Sequence, residues 1–167
     1  MNPRAGDLIA YVVTPQSPWT SKAVAVMQII RGLGKGDVMY SHVAAWAADR
    51  DQQYEQVWPC AGLNPIDFSR AFEVWRIGDP SPAQTALAVR WWKAHLGDRY
   101  NMIGLLTGGM LCLPHEEVCS QYYADGWHAA GVHFQAEGAR IVAPNVLVDH
   151  EGARRIALYM PKLGRVI

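Results

Sequence analysis

Charge is scarce in this 167-residue chain, and neither sign prevails. Asp, Glu, Lys and Arg make up 18% of the residues, with 15 acidic side chains against 15 basic ones. A net charge of zero leaves no basic footprint of the kind nucleic-acid binders carry, so nucleic acid is not an expected partner. Cysteine is rare too. Cys60, Cys112 and Cys119 make an odd number without regular spacing, which argues against a disulfide framework and fits a reducing compartment. Long hydrophobic runs are also missing. The longest nearly uncharged apolar stretch, Met102 to Leu113, has about twelve residues where a membrane span needs roughly twenty. No integral membrane segment is expected, and the stretch reads as core. Met1 to Asp7 lacks a charged region followed by an apolar one, so no secretory signal is read and a cytoplasmic location is expected. Internal repeats, low-complexity tracts and a dividing linker are absent as well, which predicts one domain over residues 1–167.

Against these absences, half the residues are hydrophobic and seven are Trp, the composition of a folded globular chain. Gly6-Asp7 opens a short apolar run, Leu8 to Val13, that reads as a buried strand. Ser17 to Ser21 offers capping residues before a helix with Val24, Met27, Ile30 and Leu33 at helical spacing, stopped by Gly32, Gly34 and Gly36. Tyr40 to Ala47 and Gln53 to Trp58 read as a hairpin around Asp49-Arg50-Asp51. Asn64-Pro65 predicts a short helical turn, Phe72 to Ile77 a strand, and Pro82 the first turn of a helix running to about Leu96. A second helical region begins near Val118, and Ile156 to Met160 reads as a last strand. Strands grouped together rather than alternating with helices predict an α+β fold, a small antiparallel sheet packed against helices.

A cysteine nucleophile needs a lowered pKa, because the thiolate is the attacking species. An imidazole neighbour and the positive end of a helix both lower it. Cys119 sits where a helix is expected to start, with Pro114 before it and Glu116 and Glu117 suited to a first turn. Its free backbone N–H groups, with Ser120 next in line, would also suit an oxyanion. The competing reading is that Cys119 is a small buried hydrophobe. Cys112 lies in an apolar run that would raise its pKa, and Cys60 follows a Trp58-Pro59 turn.

His42, in Tyr40-Ser41-His42-Val43, is the first candidate base, since a strand presents its ring in one direction. The competing reading is a core histidine with satisfied nitrogens. Glu55 on the next strand could orient it, subject to register. A turn centred on Asp49-Arg50 pairs His42 with Val57 and leaves Glu55 as the diagonal neighbour on the same face. A turn centred on Arg50 alone puts the two on opposite faces. His115 and Cys119, four apart, could share a helix face as metal ligands. A zinc site wants three or four ligands at recognisable spacing, however, and neither His-Glu-x-x-His nor paired Cys-x-x-Cys occurs. No metal or other cofactor is therefore expected. Asp149-His150-Glu151 reads as a solvated cluster, and His95, His128 and His133 have no evident partner.

Taken together these residues resemble the circularly permuted branch of the NlpC-type papain-like amidases, the YiiX/YebB-like group. The carriers are Gly6-Asp7-Leu8-Ile9, Tyr40-Ser41-His42-Val43, Tyr54-Glu55-Gln56-Val57 and Cys119-Ser120-Gln121-Tyr122, with the cysteine after the histidine. Smaller echoes are Gly97 to Asn101 and Val142 to Leu147. Gln121, Asn101 and Gln56 depart from the Glu, Asp and Ala of that pattern. The resemblance implies a papain-like α+β fold with the nucleophile at a helix N-terminus. It also implies a cysteine hydrolase with Cys119 as nucleophile, His42 as base and Glu55 as orienting residue. The Cys119 backbone N–H, Ser120 and Tyr40 would support the oxyanion. The expected substrate is a peptide or another amide or acyl compound. A lipid-directed acyltransferase or thioesterase of the lecithin retinol acyltransferase type, and a catalytically silent peptide-binding module, are the alternatives.

Overall fold

The apolar run after Gly6-Asp7 becomes the middle strand of a sheet. The computed structural model describes residues 2–30, 38–48, 51–106, 116–134, 143–161 and 165–166. Strand β1 (Leu8–Val12) is followed by helix α1 (Trp19–Ile30), then β2 (Tyr40–Trp46), β3 (Gln52–Gln56), β4 (Ala61–Pro65), β5 (Phe72–Ile77) and helix α2 (Pro82–Ala94). Beyond these lie β6 (Arg99–Tyr100), α3 (Met102–Leu106), β7 (Glu116–Glu117), α4 (Cys119–Ala129), α5 (Pro144–Val148), β8 (Ala153–Met160) and β9 (Arg165–Val166). Seven strands form an antiparallel sheet in the order β4-β3-β2-β1-β5-β8-β9, and β6 pairs with β7 in parallel.

Both faces of this sheet are covered, which is why β1 is apolar at every position rather than alternating. Leu8 and Ala10 face α2 and α4, where they join Val43, Ala45, Tyr54, Trp92, Tyr122 and Trp127. Ile9 and Tyr11 face the other way, with Ala44, Phe72, Val74 and Ala157. Helix α2 starts on a capping box between Ser81 and Gln84 with Pro82 at its first position. Two bonds lock it to α4: Trp92 Nε1 donates to the Tyr122 carbonyl at 3.0 Å, and the Tyr122 hydroxyl donates to the Trp92 carbonyl at 2.8 Å. Gly126 permits that approach, since a Cβ there would lie 2.2 Å from Trp92 Nε1. At the start of β1, Gly6 has φ +86 with the Trp127 ring against it, and Asp7 holds Arg76 through two bonds of 2.9 and 2.7 Å.

Two expectations, on Asn64-Pro65 and on Met102-Ile103, are corrected. Asn64-Pro65 is no helical turn but the end of β4, paired Gln53 to Asn64 and Gln52 to Pro65. The polar backbone of β3 takes β4 as its partner, and a proline without an N–H is tolerated there because β4 is the edge strand. On α1 the buried positions include Ala25 and Gln28, while Val26 and Ile29 are exposed. Leu33 and the glycines at 32, 34 and 36 lie outside the described residues, as do the side chains of Met27 and Ile30. Met102 and Ile103, read as core, are exposed, and residues 107–113 of that stretch lie outside the described residues. Among the described residues no helix is long and apolar enough to cross a membrane.

Candidate functional site

The hairpin register decides where Glu55 stands. Ala45 pairs with Tyr54 and Trp46 with Gln53, so continuing the ladder places Val57 opposite His42 and Glu55 on the face of the histidine. His42 Nε2 donates to Glu55 Oε2 at 2.7 Å, and Asn64 Nδ2 donates to Glu55 Oε1 at 3.0 Å. On its other side the His42 ring stacks on Tyr11, with centroids 5.6 Å apart. Tyr11 is itself held, its hydroxyl donating to Gln53 Oε1 at 2.9 Å and accepting from the Asp67 N–H at 3.2 Å. Beside His42 the ladder slips, Tyr11 pairing with His42 but Val12 with Tyr40. Ser41 is therefore the extra residue of a bulge, a feature that re-aims neighbouring side chains.

Cys119 comes to this strand from the other layer. Glu116 and Glu117 do not occupy a first helical turn, as their acidity suggested. They form β7 against Arg99 and Tyr100, and the Asn101 N–H donates to the Glu117 carbonyl at 2.9 Å. That pairing keeps the chain extended through Val118, so α4 begins on Cys119 itself. The capping position is Val118, whose side chain takes none of the helix's free N–H groups.

The ladder supplies the thiol with a further donor. Trp46 bonds towards β1 and Ala47 towards β3, so by alternation the Val43 N–H points to the β3 side. The β2–β3 ladder ends at Ala45–Tyr54, and Val43 N–H bonds to the Cys119 sulfur instead. Ser120 N–H is the second backbone donor to that sulfur. With Nε2 of His42 taken by Glu55, Nδ1 is the ring nitrogen left for its hydrogen bond to Cys119.

Burial pushes the Cys119 thiol up. The positive charge of His42, its hydrogen bond and the two backbone donors outweigh that and hold the thiol below its ordinary value. For His42, burial lowers the pKa, but the charge and hydrogen bond of Cys119, followed by those of Glu55, raise it to about 9. Burial likewise raises Glu55, whereas His42, Asn64 and Gln53 bring it below the usual carboxylate range. The shifts run in opposite directions, thiol down and imidazole up, and both favour an imidazolium between a thiolate and a carboxylate.

A cleft of about 510 Å3 opens beside His42. Its lining includes Trp19, Val24, Trp58, Tyr100 and Met102, with Thr20, Ser21, Ser41 and Gln56 among its polar members. Burial, and then the charge of Cys119, raise the Tyr100 hydroxyl well above its usual value, so it stays protonated. Tyr40 takes a different place from the thiol's neighbours: its hydroxyl donates to Glu73 in the core. Its backbone is gripped by Gln28 Nε2 on the carbonyl at 2.6 Å and by Asn145 Oδ1 on the N–H at 3.2 Å. It supports the strand that carries His42. Asn64, Tyr100, Gln28 and Asn145 have no assigned role in the sequence reading. Tyr100 and Asn145 stand inside the two short echoes noted there, which is the one signal that marked them. Asn101, in place of Asp, still accepts the Gly104 N–H at the start of α3. Gln121, in place of Glu, donates to Asp125 at 2.7 Å.

The other histidines make their contacts away from this site. His95 bonds the Trp91 carbonyl, His128 and His133 meet each other at 3.2 Å, and His150 packs edge-on against Phe134. His115 and Cys112 lie outside the described residues. Among the described residues no group of three or more His, Cys, Asp or Glu side chains gathers as a metal ion would need.

No family model matches the chain, and no curated protein matches it in sequence. A solved structure does. The crystal structure of metalloprotein yiiX from Escherichia coli O157:H7, DUF1105, superposes with a TM-score of 0.69 at 17% identity, covering 94% of this chain and 98% of that one. A likeness so nearly complete in coverage and so low in identity establishes architecture and nothing about chemistry. The chain has a YiiX-like α+β fold.

Proposed function

We propose that the chain is a cysteine hydrolase that cleaves an amide bond through a thioester acyl-enzyme. The observation that carries this reading is the contact chain from Cys119 at the first position of α4 to His42 and from His42 to Glu55 at 2.7 Å. The thiol proton resides on His42 Nδ1, and Glu55 holds the opposite proton on Nε2. The Cys119 thiolate attacks the substrate carbonyl, and the carbonyl electrons move to oxygen. The Cys119 backbone N–H, at the start of α4 and not capped by the Val118 side chain, faces that oxyanion. Collapse of the intermediate breaks the C–N bond, and His42 gives its proton to the departing amine. A water molecule then loses a proton to His42, attacks the thioester and releases the acid, restoring the thiol.

Iodoacetamide labelling at about pH 6 with peptide mapping tests the activated thiol, because an ordinary thiol is almost wholly protonated there. Fast labelling of Cys119, slowed by His42→Ala, is expected. Turnover on an amide and ester panel is expected to vanish in Cys119→Ala, and its persistence would remove the assignment. One observation favours a second reading, a lipid-directed acyltransferase or thioesterase. The cleft is mostly apolar, and two of its rim residues, Trp19 and Trp58, are 78% and 70% exposed. Acyl-lipid and dipeptide substrates separate the two by their products.

A further inference from the structure

Gln56 follows Glu55 in β3 but faces the opposite side of the strand, and it is wholly buried, with 0% exposure. Its Nε2 donates to the Asp98 carbonyl at 3.0 Å. A carbonyl only accepts, so this bond settles the amide's orientation and turns Oε1 away from Asp98. Oε1 has no hydrogen-bond partner among the described residues. Yet Gln56 lines the cleft beside Ser41, His42, Tyr100 and Trp58. The side chain is thus an anchored acceptor, buried and unsatisfied, at the wall of the candidate site. Buried acceptors of this kind are normally paired, and a ligand that leaves one unpaired loses roughly 5- to 150-fold in affinity.

We propose that Gln56 Oε1 is a specificity determinant that accepts an N–H from the substrate. The site then selects acyl groups that carry an amide N–H, such as a peptide or an N-acylated amino acid, over plain fatty acyl chains. The apolar lining contributes burial but no discrimination between such groups, whereas an ester oxygen placed against Oε1 would set lone pair against lone pair. This inference rests on the reading of Cys119, His42 and Glu55 as the catalytic set.

The test uses two chloromethyl ketones that differ at one atom: N-acetyl-alanyl chloromethyl ketone and its O-acetyl-lactyl counterpart, where oxygen replaces the N–H. With each, the Cys119 sulfur forms a C–S bond as chloride leaves. Rates at Cys119, mapped by peptide and divided by each probe's rate with free cysteine, report recognition apart from intrinsic reactivity. In the natural protein the N–H probe is expected to be favoured at least about ten-fold. Gln56→Met and Gln56→Leu are expected to bring the ratio near one while Cys119 is still labelled. Equal normalised rates in the natural protein, with Cys119 labelled by both, would overturn the role of Gln56 and leave the catalytic reading standing. So would an unchanged preference in either folded variant. Labelling of Cys119 by neither probe faster than Cys60 would overturn both readings together.

Discussion

The carboxylate of Glu55 bonds the imidazole of His42 at 2.7 Å through one oxygen and takes the amide of Asn64 at 3.0 Å on the other. Glu55 is thereby held from β4, and the ring's outer nitrogen must carry a proton. The tautomer of His42 is consequently imposed from two strands away, with Nδ1 left to exchange a proton with Cys119.

Glu55→Gln tests that arrangement with little change of shape. Asn64 would continue to donate to the side-chain oxygen, so the new amide nitrogen would face His42 Nε2 and force it to accept. The remaining ring proton then sits on Nδ1, where it no longer takes the thiol proton. Labelling of Cys119 at about pH 6 should fall on the order of 100-fold or more, with the melting temperature little altered. Unchanged labelling would mean that Glu55 does not set the tautomer.

The pair also predicts a pH profile. Cys119 is held below an ordinary thiol and His42 is raised to about 9, so both shifts favour the ion pair. Amide turnover should set in below the ordinary thiol range and fall as pH rises through about 9, where His42 loses the proton it must give to the leaving amine. Stopped-flow turnover across that range decides it. A profile that only rises through the ordinary thiol range, near 8.5, would contradict the pairing.

Gly126→Ala reverses a general rule. Within a helix this change normally stabilises by about 1 kcal/mol. Here the added Cβ would stand 2.2 Å from Trp92 Nε1, in a ring that is fully buried and bonded to the Tyr122 carbonyl. Overpacking should instead cost about 1–3 kcal/mol in chemical denaturation. A stabilised variant would show that α2 and α4 are free to move apart.

Glu117 ties stability to pH. Burial first, then Asp125 and Asp98, raise its carboxyl from the usual 4.5 to about 7, and Oε2 has no hydrogen-bond partner among the described residues. The folded chain holds this proton more tightly than the unfolded one. Its contribution is therefore full below 4.5 and is lost as pH rises through about 7. Glu117→Gln should match the natural protein in melting temperature near pH 4.5 and exceed it by a few degrees at pH 8. A constant difference across that range would remove the raised carboxyl from the account.

Much of the architecture was legible because it is written within a few residues. The unbroken apolar run of β1, the alternation of Phe72 to Ile77 and Pro82 in the first turn of α2 each act on neighbours in the chain. Residue chemistry likewise singled out Cys119, His42 and Glu55. It left their meeting dependent on whether the hairpin turned on two residues or one. Asn64-Pro65 was misread because its local turn signal is overridden by the backbone of β3, which needs a partner strand. Met102 and Ile103 were misread because apolar character alone does not say which side of a helix meets the core.

Local sequence was enough for β1, β2, β3, β5 and β8, for helices α1, α2 and α4, and for the reactive residue types. Tertiary structure alone decided which of them touch. The parting of β3 from β2 after Ala45 frees the Val43 N–H for the sulfur. The pairing of β6 with β7 sets Tyr100 opposite Glu117 and starts α4 on Cys119. The Asp98 carbonyl turns Gln56 Oε1 away from itself, as an unpaired acceptor at the cleft wall. Each depends on a backbone group losing or gaining a partner far away in the chain, and local periodicity carries no record of such pairings.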